Sequence, residues 1–375
     1  MSIVIVGASA AGLAVAKCLG DRGLPADLLE AAPNVGTRWR SHYRRLHLHT
    51  PKSRSALPGL AFGPEVPRYP SRQQVVDYLD RYAATFGLRP QFDTRVTRVA
   101  PEDDGWIVET TRGARRADRG IMATGYNNVP VRAAPPGIDT FPGPVLHSSD
   151  YVSGSRFKGM RVLVVGFGNS GCEIAIDLHE QGARPAISVR GAVNVLPRDI
   201  FGVPVLALGQ GMRLIPPRLA DRLNAPLIRA LIGDIRDVGL TPLPYGPNEQ
   251  IARGQVPLLD IGTLALMRAG AITRHAGIAQ IDGPRVTFAD GRAEAFDAIV
   301  LATGYRHGIE AILDLPEPEK SLRIKELSVP MPRRRHEGAR GLHLLGGYLS
   351  PRGMLYEIAR EAEWTAKTIA RAVAQ

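Results

Sequence analysis

Two glycine-rich turns in one chain constrain this sequence more than any other feature. IVIVGASAAG spans residues 3–12 and VLVVGFGNSG spans residues 162–171. In each, a run of β-branched residues feeds a glycine turn and then an apolar helix. That arrangement brings backbone close to a pyrophosphate and turns free helix N–H groups toward it. A lone glycine turn between strand and helix also arises from packing alone, so the remainder of each unit has to agree. It does: the first helix stops at Gly23, 16 residues beyond Gly7, and the second at Gly182, 16 residues beyond Gly166.

The second strand of each unit ends in a charged residue, Glu30 at 23 residues from Gly7 and Arg190 at 24 from Gly166. This position meets the adenosine ribose, where a carboxylate accepts hydrogen bonds from a free diol and an arginine pairs with a 2′-phosphate. Charged strand ends are ordinarily just solvated, but matched offsets in two units favour the binding reading. Glu30 therefore predicts FAD and Arg190 predicts NADPH. Gly7, Ser9, Ala10 and Gly12 form the first cradle, with Ser9 where a middle glycine would sit. Gly166, Gly168, Asn169, Ser170 and Gly171 form the second.

The 375 residues have room for two domains, and 44% hydrophobic with 22% charged content is ordinary for globular cores. The net charge of +11 comes almost wholly from arginine. The arginines are dispersed and no nucleic-acid motif accompanies them, so a nucleic-acid partner is not expected; a positive field favours two anionic dinucleotides instead. The short run Arg333–Arg335 reads as a solvated loop. Cys18 and Cys172 each follow a cradle and are too far apart in sequence for a redox motif, which predicts core packing and argues against disulfide chemistry. No metal signature is present: His47 and His49 alternate on one strand face without further ligands. No segment reaches the roughly 18–20 apolar residues that span a membrane, and the first strand begins at once, so a cytoplasmic protein without a signal peptide or membrane partner is expected.

Along the chain, SRQQVVDYLDRYAATFG has the period of a helix, RVTRVAPEDDGWIVETT reads as strands turning at Asp103–Gly105, and RVTFADGRAEAF as a hairpin turning at Asp290–Gly291. ATGY occurs twice, at 123–126 and 302–305, and each copy reads as the crossing between nucleotide domains. Thr124, Gly125, Thr303 and Gly304 join the cofactor-binding candidates on that reading. The predicted fold is α/β, with two Rossmann-like dinucleotide-binding domains of the three-layer ββα/βαβ type. The NADPH domain (146–300) is inserted into a discontinuous FAD domain (1–145 and 301–375). A proline-rich, leucine-rich insertion at about 203–257 would line a substrate pocket or cap the domain.

Between the domains lies FPGPVLHSSDY, residues 141–151. Its Phe141, Gly143, His147 and Tyr151 match the FxGxxxHxxxY fingerprint of class B flavin-dependent monooxygenases. RRLHLHTPK, RYPSRQQVVDYLDRYA, SVRGAVNVLPRDIFG and FDAIVLATGY further resemble the YUCCA-type branch of that family, over most of the chain. The related Baeyer–Villiger enzymes are similar but carry Trp at the position of Tyr151. Amino-acid N-hydroxylases share the Asp297–Tyr305 strand but not the linker.

The resemblance implies an FAD enzyme that uses NADPH and molecular oxygen, forming a flavin hydroperoxide that passes one oxygen atom to a small-molecule substrate. It also implies that Arg38, Trp39, His49 and Thr50 approach the flavin, that Arg198 is a second candidate for the 2′-phosphate, and that His147 has a gating or NADP-positioning role. Extended to substrate, it implies oxidative decarboxylation of an aryl 2-oxo acid such as indole-3-pyruvate. Oxygenation of a soft nitrogen or sulfur, or a non-oxygenating FAD reductase or redox sensor, are the other readings. Oligomeric state is not legible.

Overall fold

The computed structural model describes residues 1–205, 215–253, 255–329, 331, 333–336, 338–348, 350 and 352–374. These divide into two compact units: residues 1–40, 50–129 and 305–375, and residues 41–49 and 130–304.

The first unit is built on a four-stranded parallel sheet. Its strands are ordered Asp27–Leu29, Ile3–Val6, Arg119–Met122 and Leu342–Leu344. All four residues of Ile3–Val6 are buried, as a strand covered on both faces must be. Val4 and Val6 join Trp106, Val108 and Ala117 of an antiparallel meander (Val96–Glu102, Gly105–Thr110, Gly113–Ala117) in one core. The opposite side carries the helix Ala10–Gly20, which packs on the C-terminal helix Met354–Val373. The helix Arg72–Thr85 starts at a capping box, in which Ser71 Oγ accepts from the Gln74 N–H and Gln74 Oε1 accepts from the Ser71 N–H.

The second unit repeats the plan with five parallel strands, ordered Thr273–His275, Arg184–Ser188, Arg161–Val165, Ala298–Leu301 and Val145–His147. The period of two sorts its side chains cleanly. Val162, Val164, Ala298 and Val300 pack with Ile174, Ala175 and Leu178 of the helix Asn169–Glu180. Leu163, Ile299 and Leu301 instead pack with Ile281, Val286 and Phe288 of a second meander (Ile278–Asp282, Arg285–Phe288, Ala293–Ala295). Each unit is thus meander, parallel sheet and helix layered around one core on either side of the sheet. Both hairpin turns lie where the sequence puts them, with Asp103 and Gly291 at positive φ. Each meander also has a third strand, 113–117 and 278–282, that the hairpin reading misses.

One expectation changes. Arg334 is not solvated: it is 5% exposed and its Nη2 lies 2.6 Å from Oε1 of buried Glu361 on the C-terminal helix. An arginine can be buried when a carboxylate and carbonyls take up its fork of donors, and Arg334 also donates to the Val329 and Leu344 carbonyls. In the insertion, the helix Pro217–Ile232 turns Leu219, Leu223, Leu227 and Leu231 outward, at i, i+4 spacing, while another face of it lines a cavity. Residues 206–214 and 254 of that insertion lie outside the described residues. Among the described residues, no helix is long and apolar enough to cross a membrane.

Candidate functional site

The two cradles repeat one another at the level of backbone angles. Gly7 and Gly166 have φ of +103° and +118°, and a Cβ on either would lie 2.7 or 2.6 Å from the carbonyl oxygen of Ala123 or Ala302. Those alanines open the two ATGY segments, so each copy passes directly over its own cradle's first glycine. A Cβ on Gly12 would meet Gly7 O at 1.8 Å, and one on Gly171 would meet Gly166 O at 2.2 Å. These four glycines are fixed by close backbone approach.

The middle position is different. Ser9 (φ −102°) and Gly168 (φ −101°) are both extended N-cap residues, and neither makes a side-chain capping bond. Serine is therefore accommodated without strain at Ser9. A Cβ on Gly168 would meet nothing within 4 Å, so glycine there is required by no neighbour in the chain. Each helix keeps an uncapped N-terminus without an acidic residue in its first turn, the arrangement that receives phosphate. The residues present thus fit a dinucleotide at both cradles. Ala10, Ser170 and Asn169 lie at these helix starts, and Asn169 Oδ1 accepts from the Leu259 N–H at 3.0 Å.

At the first cradle the Glu30 carboxylate reaches back into the glycine loop, with Oε2 accepting from the Ala8 N–H at 2.8 Å and Oε1 from the Ala32 N–H at 3.0 Å. It stands at the end of the second strand, beside the loop, where a ribose diol would compete for the same oxygens. Thr124 and the left-handed Gly125 (φ +77°) complete this side. Arg38 donates to Asn128 Oδ1 at 3.0 Å, with half-buried Trp39 next to it, and buried Thr50 bonds Ser55 Oγ at 2.8 Å. His49 belongs to the second unit, its Nε2 2.9 Å from Oε1 of buried Glu173.

The second cradle opens on a cavity of about 870 Å³, lined by Gly166, Phe167, Arg190, Gly277, Thr303 and Gly304 among others. Arg190 is exposed, at the cavity's edge, and makes no ion pair among the described residues. Arg198 does not line this cavity and instead donates to Asp199 Oδ2 at 3.1 Å.

The linker residues Phe141, Gly143, His147 and Tyr151 all fasten to this second unit. Phe141 is buried in the meander-side core. A Cβ on Gly143 would strike Asp297 O at 2.2 Å. His147 is fully buried; its Nδ1 accepts from the Ser149 N–H at 3.1 Å, which leaves Nε2–H to donate to Gly304 O at 3.1 Å. Burial pushes its pKa below the ordinary value, so the imidazole is neutral. Tyr151 donates to Asp177 Oδ2 at 2.6 Å, and the Gly154 N–H donates to the same oxygen at 2.7 Å. Asp177, on the cradle helix, is a residue the motif reading misses. Its signal is an acid set among buried Ile174, Ala175, Ile176 and Leu178.

The pyridine nucleotide-disulphide oxidoreductase family model matches residues 4–196, which takes in both cradles and the linker. Indole-3-pyruvate monooxygenase YUCCA1 of Oryza sativa subsp. japonica is 40% identical over 83% of this chain and 78% of its own length. The probable indole-3-pyruvate monooxygenase YUCCA4 of Arabidopsis thaliana is 37% identical over 92% of this chain and 84% of its own. The chain belongs to the YUCCA-type branch of the class B flavin-dependent monooxygenases.

It is accordingly an FAD- and NADPH-dependent monooxygenase. The fold agrees. A flavin-containing monooxygenase from Stenotrophomonas maltophilia matches 100% of this chain and 99% of its own at 22% identity and a TM-score of 0.70. Cyclohexanone monooxygenase from Rhodococcus sp. Phi1, bound to NADP+, matches 100% and 84% at 20% identity and 0.74. Disulfide chemistry, part of the matching model's name, has no residues here. The two cysteines are free and buried, and burial raises both thiols, Cys18 to about 12.

Proposed function

We propose that this monooxygenase converts an aryl 2-oxo acid, such as indole-3-pyruvate, to the acid one carbon shorter. NADPH, O2 and a proton are consumed; NADP+, CO2 and water are released. The observation that carries the substrate class is the 37–40% identity to relatives named for indole-3-pyruvate, each over at least 82% of this chain. FAD, when bound, supplies the redox chemistry: it takes hydride from NADPH and activates O2.

The chain's own residues bind, orient and fasten. In this reading the first unit holds FAD, with Gly7, Ser9, Ala10 and Gly12 at the pyrophosphate and Glu30 at the ribose. The second unit, inserted in the first, holds NADPH, with Gly166, Gly168, Asn169, Ser170 and Gly171 at the pyrophosphate and Arg190 on the 2′-phosphate. Arg190 is preferred to Arg198 because it alone lines the cavity. Arg38, Trp39, His49 and Thr50 remain assigned to the flavin side by resemblance alone.

His147 is a positioning residue. A neutral imidazole that donates to the Gly304 carbonyl holds the turn beside the second cradle, so its role is retention of NADP rather than proton transfer. Its loss in His147→Ala should lower the product formed per NADPH oxidised, with kcat/KM for NADPH less affected; unchanged coupling would remove the assignment. The substrate class is tested by supplying indole-3-pyruvate, a thioether and a tertiary amine in parallel and detecting lost carboxylate or added oxygen by mass. Oxygen added only to sulfur or nitrogen would replace the decarboxylation reading.

A further inference from the structure

The insertion contains a second cavity, of about 760 Å³, lined by one face of the helix Pro217–Ile232, by residues 233–236 and 242–247, and by Glu249. It shares no lining residue with the nucleotide cavity. Its size is that of a small-molecule pocket. Its walls are apolar, with Val195, Ala225, Ile228, Ile232, Ile235 and Leu243, and its rim is charged.

Each carboxylate of that rim already has its partners. Asp221 accepts from the Asn248 and Glu249 N–H groups at 2.8 and 3.0 Å, which caps the helix Pro247–Ala252. Glu249 is shared by Arg253 at 2.6 Å and Arg218 at 3.2 Å, and both hold its carboxyl below the usual range. Asp234 accepts from the Arg236 N–H at 3.1 Å and lies 3.2 Å from the Arg236 guanidinium.

The cations are in excess. Arg229 touches Asp234 only at 3.8 Å, with its side chain 73% exposed. Arg222, seven residues earlier on the same helix face, has no carboxylate within 4.0 Å among the described residues. A ligand that is itself cationic would find no free acceptor of opposite charge here. One with an apolar body and a single negative group would find both halves of its complement.

We infer that this cavity is a binding site for an apolar monocarboxylate, its carboxylate on Arg222 with Arg229 beside it, and its apolar body against Ala225, Ile228 and Ile232. The cavity uses none of the cradle or linker residues; because the proposed substrate is itself an aryl monocarboxylate, the Arg222 and Ala225 variants are what assign binding to this cavity.

Isothermal titration of the FAD-loaded protein with 4-phenylbutyrate, and with 4-phenylbutylamine as the charge-reversed probe, tests it. The acid binds with one-to-one stoichiometry and the amine does not. Arg222→Glu weakens the acid by about tenfold or more, the scale of one charged hydrogen bond, and Arg222→Lys restores most of the affinity. Ala225→Trp, which fills the cavity, abolishes binding while KM for NADPH is unchanged. The inference is overturned if the acid does not bind, if the amine binds as tightly, or if Arg222→Glu binds the acid like the parent protein.

Discussion

At the scale of residues, the cradle glycines separate into those the fold needs and those a ligand needs. Gly171→Ala forces a Cβ against Gly166 O, so a stability loss of about 1–3 kcal/mol is expected in urea denaturation. Gly168→Ala meets open space, and its melting temperature should match that of the parent while KM for NADPH rises. Equal stability losses for the two would contradict this division. Arg190→Ala should lower kcat/KM for NADPH by roughly 10- to 100-fold and leave NADH unaffected, since only NADPH carries the 2′-phosphate. His147 and His275 are both held below the ordinary histidine pKa, chiefly by burial. The unfolded chain therefore binds more protons than the folded one once pH falls below about 6.5, and stability declines from there toward the lowered values. Urea midpoints from pH 8 to pH 5 should show that fall, and His147→Gln should make it shallower.

At the scale of elements, the linker is held by bonds the sequence pattern names only in part. Tyr151→Phe leaves buried Asp177 with the Gly154 N–H but without its hydroxyl donor. A loss of about 1–2 kcal/mol and faster amide exchange across residues 147–157 are expected; no change in either would mean the fastening lies elsewhere. Arg334→Met takes the cation away from the buried Glu361 carboxylate, which keeps the Gly346 N–H, and should cost about 3–5 kcal/mol.

These elements also mark how far the sequence can be read. Both glycine turns and the helix in SRQQVVDYLDRYAATFG were legible, because each is a local pattern in which spacing dictates geometry. Arg334 was not, since its partner Glu361 is 27 residues away and only tertiary packing joins them. Nor was His49, whose Glu173 contact depends on residues 41–49 joining the second unit. The leucines of 219–231 have the period of a core helix, yet they face outward, because period defines a face without saying what lies opposite it.

At the scale of the whole molecule, the chain is one layered plan used twice, and in the proposed function the charge of a single strand-end residue, Glu30 or Arg190, divides the two nucleotides. The net charge of +11 adds a long-range attraction for both, which salt screens within about 10 Å at 0.1 M. KM for NADPH should therefore rise several-fold between about 0.02 and 0.5 M salt, and a flat profile would confine the electrostatics to Arg190. The central claim, that electrons from NADPH reduce O2 with one oxygen atom passing to substrate, is tested most directly with isotope. The FAD-loaded protein is given NADPH, indole-3-pyruvate and ¹⁸O2, and the products are weighed. The account predicts an aryl acetate carrying a single ¹⁸O atom, with CO2 released and NADPH oxidised in equal amounts. NADPH oxidation that yields only hydrogen peroxide, with no label in any organic product, would contradict it.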